Sequence, residues 1–333
     1  MVVLNSSRQS KDLLRQGLAG LFLGLCILLS ACSSMQPKLA PASESLRLAV
    51  PFVEQEVAHC GPAALSSALQ FYGRKASLET LVSEVYIPRR KGSLTLEMTA
   101  ASRRHNLLPY PVAASLDSLL VELDAGHPVL VLQNLGFNFW PQWHYALLVG
   151  YEQAGNTLLL HSGDMPYYEL EAGTFMRTWA RSEYWGLVLT LPDQIPAGAE
   201  AVTYLKILEQ MRETRSLAAD ALLSALTQAA EHWPQSSATQ FALANQLLAS
   251  ALYAQASDYF LRGIVLRPGS ALAWNNLAYA LKAQGCGATA KAAIDEALKQ
   301  SPADERITAS VDDIGDAGSN SIVDCPALPY VGL

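Results

Sequence analysis

Apolar positions recur at helical spacing in four early stretches of this chain, 61–72, 78–85, 93–105 and 116–124. Pro62 is tolerated in the first turn of the first helix and Gly73 stops it. In the third, Leu94, Leu96, Met98 and Ala101 supply a face to bury. The period then changes. Pro128-Val-Leu-Val-Leu-Gln133 is a β-rich apolar run. Further strands are predicted at 144–151 and 157–160, divided by the turn-like Gln153-Ala-Gly-Asn156, and at 184–191. Helices first and antiparallel strands afterwards predict an α+β domain. A polar, Pro-rich joint at 191–198 follows, and beyond it the chain is rich in Ala, Leu and Gln with no strand signal.

That second part repeats. Pro234, Pro268 and Pro302 are spaced 34 residues apart. In this frame Leu243 and Ala244 match Leu277 and Ala278, Leu247 matches Leu281, Ala256 matches Ala290, and Phe260 falls on Ile294. A 34-residue period with small residues at helix crossings resembles tetratricopeptide repeats, with Trp274-Asn-Asn-Leu-Ala-Tyr-Ala-Leu281 the best copy. Each helix pair buries its face only against the next pair. Residues 202–232 hold a weaker pair that would supply a third copy. The resemblance implies an all-α repeat domain over 198–310 that binds a protein partner, and a tail over 311–333.

The N-terminus reads as targeting rather than fold. Arg8, Lys11 and Arg15 precede an apolar run over 17–28, too short for a comfortable membrane span. Leu29-Ser30-Ala31-Cys32 resembles the lipobox of bacterial lipoproteins. That resemblance implies a signal peptide over 1–31 and acylation of Cys32. It also implies a Ser/Pro/Ala-rich tether over 32–46 and a periplasm-facing location on the outer membrane, because Ser33 and Ser34 follow the cysteine where Asp would retain it. In that oxidising space a bridge between Cys286 and Cys325 would staple the tail to the helical domain, although sequence does not show proximity.

Composition narrows the classes. Half of the 333 residues are apolar and 16% are charged, which suits packed cores and not long disorder. The net charge of -7, with no basic stripe, gives no reason to expect nucleic acid. No metal spacing is found among Cys and His, and no cofactor is expected.

The chemistry concentrates in two segments. In Val50-Pro-Phe-Val-Glu-Gln55-Glu-Val-Ala-His-Cys60-Gly-Pro-Ala-Ala-Leu65, a cysteine stands at a helix start, where the positive end of the dipole would stabilise a thiolate. His144-Tyr-Ala-Leu-Leu-Val-Gly-Tyr151 offers a proton acceptor on a distant strand. With Gly126-His-Pro-Val-Leu-Val131 between them, these runs resemble the double-glycine leader peptidase family, a papain-like group, over 48–191. The resemblance implies a papain-like domain, bounded here at 47–194. Cys60 would be the nucleophile, His144 the general base, and Gln55 the oxyanion-hole side chain. The Gln-to-Cys spacing of five suits the stand-alone branch better than the exporter-linked one. The family's third residue is an Asp after the His hairpin. Counting back from Phe175 and Trp179 puts that place at Ser162, and Asp164 comes two residues late. Asp164, Ser162 or His161 would orient the imidazole, or the enzyme would work as a dyad. Phe137, Phe139, Trp140, Trp143 and Tyr145 crowd around His144 as a substrate subsite, a lid or a packed loop.

The chain is thus expected to be a lipid-anchored cysteine peptidase acting on a peptide or protein substrate. A catalytically weak or inactive peptide-binding adaptor is the rival reading, and the same residues also serve acyl transfer and deamidation.

Overall fold

The computed structural model describes residues 37–54, 59–315 and 324–330. Strand β1 (Ser45–Arg47) precedes helices α1 (Cys60–Phe71) and α2 (Leu78–Val85). A small hairpin follows, β2 (Tyr86–Ile87) with β3 (Gly92–Ser93), then α3 (Thr95–Arg104), β4 (Leu108–Pro111) and α4 (Leu116–Asp124). The sheet continues through β5 (Val129–Asn134), β6 (Trp143–Glu152), β7 (Thr157–Ser162) and β8 (Met165–Glu171), and after α5 (Ala172–Ala180) ends with β9 (Gly186–Thr190). All pairings are antiparallel, in the order β4-β9-β5-β6-β7-β8, and β1 extends the line of β5 by pairing Ser45, Leu46 and Arg47 with Glu152, Tyr151 and Gly150.

The continuous apolar runs have a simple cause: both faces of the sheet are covered. Along β6, Tyr145, Leu147 and Val149 join Leu130, Leu132 and Leu159 in a core beneath α1, α2 and α3. Ala146 and Leu148 join Val129, Val131, Leu158 and Leu160 in the core on the other face, shared with α4, α5 and the helical part. Strict alternation sorts one strand between two cores.

Four elements carry weak sequence signals. β4 reads Leu-Pro-Tyr-Pro, and its prolines are accommodated because it is an edge strand. β8, at the other edge, is exposed along much of its length and shows no clean apolar alternation. α5 buries Phe175 and Trp179, one turn apart. The fourth lies in the expected tether over 32–46: from Leu39 onward that stretch is part of the domain. Leu39 is buried, its N–H donates to Asn156 Oδ1 at 2.9 Å, and Ala42 N–H donates to Asp124 Oδ2 at 3.0 Å. Two isolated apolar anchors, Leu39 and Leu46, in a Ser/Pro/Ala-rich stretch leave no period to read. The third predicted helix also starts later than 93, because Gly92 and Ser93 are spent on the β2–β3 hairpin.

The C-terminal part is helical. α6 (Ala201–Glu213) and α7 (Ala219–His232) lead into the pairs α8 (Ser237–Ala249) with α9 (Tyr253–Leu266) and α10 (Ala271–Ala283) with α11 (Gly287–Gln300), followed by α12 (Glu305–Gly315). Corresponding helices of the two pairs start 34 residues apart, a helical repeat. Ala244, Ala256, Ala278 and Ala290 are fully buried, and Trp274, Leu277 and Leu281 are buried in the same core. Cys286, at the head of α11, is bridged to Cys325, with Cα atoms 5.6 Å apart. The joint at 191–198 is clasped by Glu122. Its buried carboxylate accepts the N–H groups of Ala197 at 3.0 Å and Gly198 at 2.7 Å and lies 2.9 Å from His127 Nδ1.

Gly150 shows what the docking of β1 requires. A Cβ there would strike the Leu46 carbonyl. Gly150→Ala is expected to lower stability by about 1–3 kcal/mol through overpacking. Urea unfolding reads the loss, and faster amide exchange at Ser45–Arg47 locates it.

Candidate active site

The helix that carries Cys60 is buried from Gly61 to Leu69, so its first turn is fixed by the core under it. Gly61 is required by contact: a Cβ would come within 2.9 Å of Ser93 Oγ and 3.0 Å of Met98 Sδ. The thiol faces the start of β6, where Tyr145 N–H donates to Cys60 Sγ at 3.5 Å and the Tyr145 hydroxyl donates to Ser93 O at 3.3 Å. Burial pushes the Cys60 thiol up, against the pull of the N–H groups of Tyr145, Gly61 and Cys60 itself. The expectation of a thiol lowered by the helix start therefore meets a larger opposing cost, the desolvation of a thiolate.

His144 adjoins Tyr145 on β6. Its Nε2 lies 2.8 Å from Ser162 Oγ, at the end of β7. Burial lowers the imidazole below its ordinary value. Cys60 and His144 share no hydrogen bond among the described residues. In both groups burial favours the neutral form.

The orienting group is a hydroxyl. Asp164, one of the candidates for this place, stands exposed in the turn between β7 and β8, and Ser162 occupies the position on His144. The reason is register: β7 carries the strand as far as Ser162, and the hairpin turn begins after it. His161 does not reach His144 either. It is buried, with Nε2 2.9 Å from Val50 O and Nδ1 accepting Tyr167 N–H at 3.2 Å. It holds the segment that leads toward Cys60. Gln55 and Cys32 lie outside the described residues.

Cys60 opens into a cleft of about 510 Å³. One wall is the β2–β3 hairpin with Arg90, Lys91 and Ser93, and the other holds Pro141 and Trp143, over a floor of Leu132 and Tyr145. The loop at 135–142 is ordered at its neck by Asn134, whose Oδ1 accepts the N–H groups of Gly136 at 3.0 Å and Gln142 at 2.9 Å. It nevertheless exposes Phe137, Phe139 and Trp140, the two phenylalanines stacked at 5.3 Å. The aromatic cluster thus divides: Tyr145 is core, and the others form a projecting lip. Arg90, Lys91 and Ser93 carry no motif of their own. Only the hairpin, too short to leave a period, brings them to the thiol. Among the described residues no group of three or more His, Cys, Asp or Glu is placed to hold a metal ion.

Residues 47–185 match the Peptidase_C39 like family. The N-terminal part of the chain therefore has a papain-like, cysteine-peptidase-like α+β fold, followed by a helical repeat. Among solved structures, the chain is similar to a double glycine motif protease from an AMS/PCAT transporter, in complex with its leader peptide, at 20% identity and a TM-score of 0.33, covering 47% of this chain and 98% of that one. It is similar to a putative C39-like peptidase from Bacillus anthracis at 16% identity and a TM-score of 0.37, over 44% of this chain and 98% of that one. It is also similar to the first TPR of Spaghetti (RPAP3), bound to an HSP90 peptide, at 15% identity and a TM-score of 0.33, over 35% of this chain and 91% of that one. No curated protein matches the chain.

The buried imidazoles have a consequence for pH. His144 and His161 are both lowered from the ordinary 6.5, so below that value the unfolded chain binds protons that the folded chain refuses. Stability is expected to fall as pH drops from 6.5 toward the folded-state values. Ser162→Asp places a carboxylate on His144 and favours its imidazolium. The variant should raise the His144 titration, read from its imidazole NMR shift, and flatten the fall in urea midpoint between neutral and mildly acidic pH.

Proposed function

We propose that the chain is a lipid-anchored, extracytoplasmic cysteine peptidase. The observation that carries this reading is the site itself: a thiol in a cleft at the start of a buried helix, met by the N–H of Tyr145, whose neighbour along β6 is an imidazole held by Ser162, within the segment that matches the peptidase family. In the proposed reaction His144 takes the Cys60 proton as the sulfur attacks an amide carbonyl. The developing oxyanion faces the Cys60 N–H and Gln55, His144 returns the proton to the leaving amine, and water hydrolyses the thioester. A pair that shares no hydrogen bond and whose burial disfavours both charged forms makes seated substrate part of the assembly of the site. Acylated Cys32 would hold the protein on the outer membrane, and the repeat domain, read as tetratricopeptide repeats, would engage a protein partner.

One observation favours the adaptor reading. A hydroxyl stands where a carboxylate would stabilise the imidazolium, and burial opposes the ion pair. Thiol labelling separates the two. For the peptidase, a peptidyl chloromethyl ketone labels the full chain at neutral pH. Cys60→Ala abolishes the labelling, and His144→Ala slows it by roughly 10²–10⁴-fold. Iodoacetamide, which seats no peptide, stays slow until pH has risen past the ordinary thiol value of 9.0, because burial pushes the Cys60 thiol above it. Equally slow labelling by both reagents, indifferent to His144→Ala, would refute catalysis and leave the adaptor.

A further inference from the structure

The two lips of the Cys60 cleft differ in chemistry. The β2–β3 hairpin turns through Pro88–Arg90, and Arg89, Arg90 and Lys91 stand there as three consecutive exposed cations. Among the described residues none of the three has a carboxylate partner, although the protein carries 30 acidic and 23 basic residues. Arg90 and Lys91 line the same cleft as the thiol. Lys91 takes a left-handed backbone, φ 49°, which Gly or Asn adopts more readily. Across the cleft, Trp143 and Pro141 line the wall, and Phe137, Phe139 and Trp140 project beyond it, exposed by 65%, 84% and 70%.

Unpaired positive charge beside a partly desolvated cleft attracts anions and disfavours cations, and the surrounding net negative charge sharpens the contrast. Exposed aromatic rings cost free energy until an apolar group covers them. We infer that the cleft selects an acidic peptide segment: one carrying a carboxylate side chain on the hairpin side of Cys60 and a large apolar side chain on the aromatic side. This rests on the reading of the Cys60 cleft as a peptide site and adds the chemistry of what enters. Arg90 and Lys91 are specificity residues in this scheme, and they take no part in the bond-making steps.

The test is equilibrium binding, which needs no turnover. The full chain carrying Cys60→Ala is titrated against two fluorescein-labelled peptides, Ala-Glu-Gly-Ala-Phe-Ala and Ala-Lys-Gly-Ala-Phe-Ala, with anisotropy as the readout. The Glu peptide is expected to bind about tenfold tighter, the scale of one well-placed charge contact. Arg90→Glu with Lys91→Glu should abolish or invert the preference without altering the fold, and salt at ~0.5 M should shrink it. Equal affinities, tighter binding of the Lys peptide, a preference that survives the double charge reversal, or no binding of either peptide would each overturn the inference. Trp140→Ala should weaken both peptides alike, and a loss confined to one would also count against it. Cys60 labelling with no acidic preference would refute this inference alone, whereas acidic preference with no labelling would refute the peptidase reading alone.

Discussion

The packing of helix α1 across the first half of β6 is the contact on which the rest of the structure depends. Tyr145 is its pivot. The ring is buried in the core beneath α1, the N–H reaches the Cys60 sulfur, and the hydroxyl holds the hairpin that forms the far wall of the cleft. One residue back, His144 is committed to Ser162 on the neighbouring strand. Because strand side chains alternate, the same few residues set the depth of the thiol, the placement of the imidazole and the width of the cleft. Moving β6 by one register would exchange its core-facing sets and dismantle all three.

Electrostatics then works against geometry. The start of a helix favours a thiolate, but the core that fixes this helix also desolvates the sulfur, and the second effect is the larger. The imidazole meets the same cost, and Ser162 offers hydrogen bonding without charge. A hydroxyl can fix ring orientation and tautomer, but it cannot repay the desolvation of an imidazolium as a carboxylate would. The site is built for placement more than for standing ionisation.

The long periodic elements were legible in the sequence because their apolar patterns are strong: the helix at Cys60, the central strands and the 34-residue helical spacing all follow from periodicity. The aromatic run before His144 was visible, but its division into a buried Tyr145 and an exposed lip was not, since both are written with the same residue types. The edge strands escaped for physical reasons, prolines in β4 and solvent exposure in β8. The strap at Ser45–Arg47 escaped because it is held by backbone pairing and by two separated apolar contacts, buried Leu39 and half-buried Leu46. The choice among Asp164, Ser162 and His161 turned on where a strand yields to its turn, the kind of boundary that spacing locates least well. Arg90 and Lys91 reached the cleft through a two-residue strand pair that no period announces.

The strap and the imidazole sit at opposite ends of β6. β1 docks on Gly150, Tyr151 and Glu152, whereas His144 is the second residue of the strand, roughly 20 Å away at the usual rise per residue. Tension arriving along the N-terminal chain is therefore taken up by the far rim of the sheet, at Leu39, Asp124 and the Gly150 crossing. The cleft lies off that line of load. A tug on the leading end of the chain would load β1 before the seat of the sulfur, so the fold separates the cleft mechanically from that end.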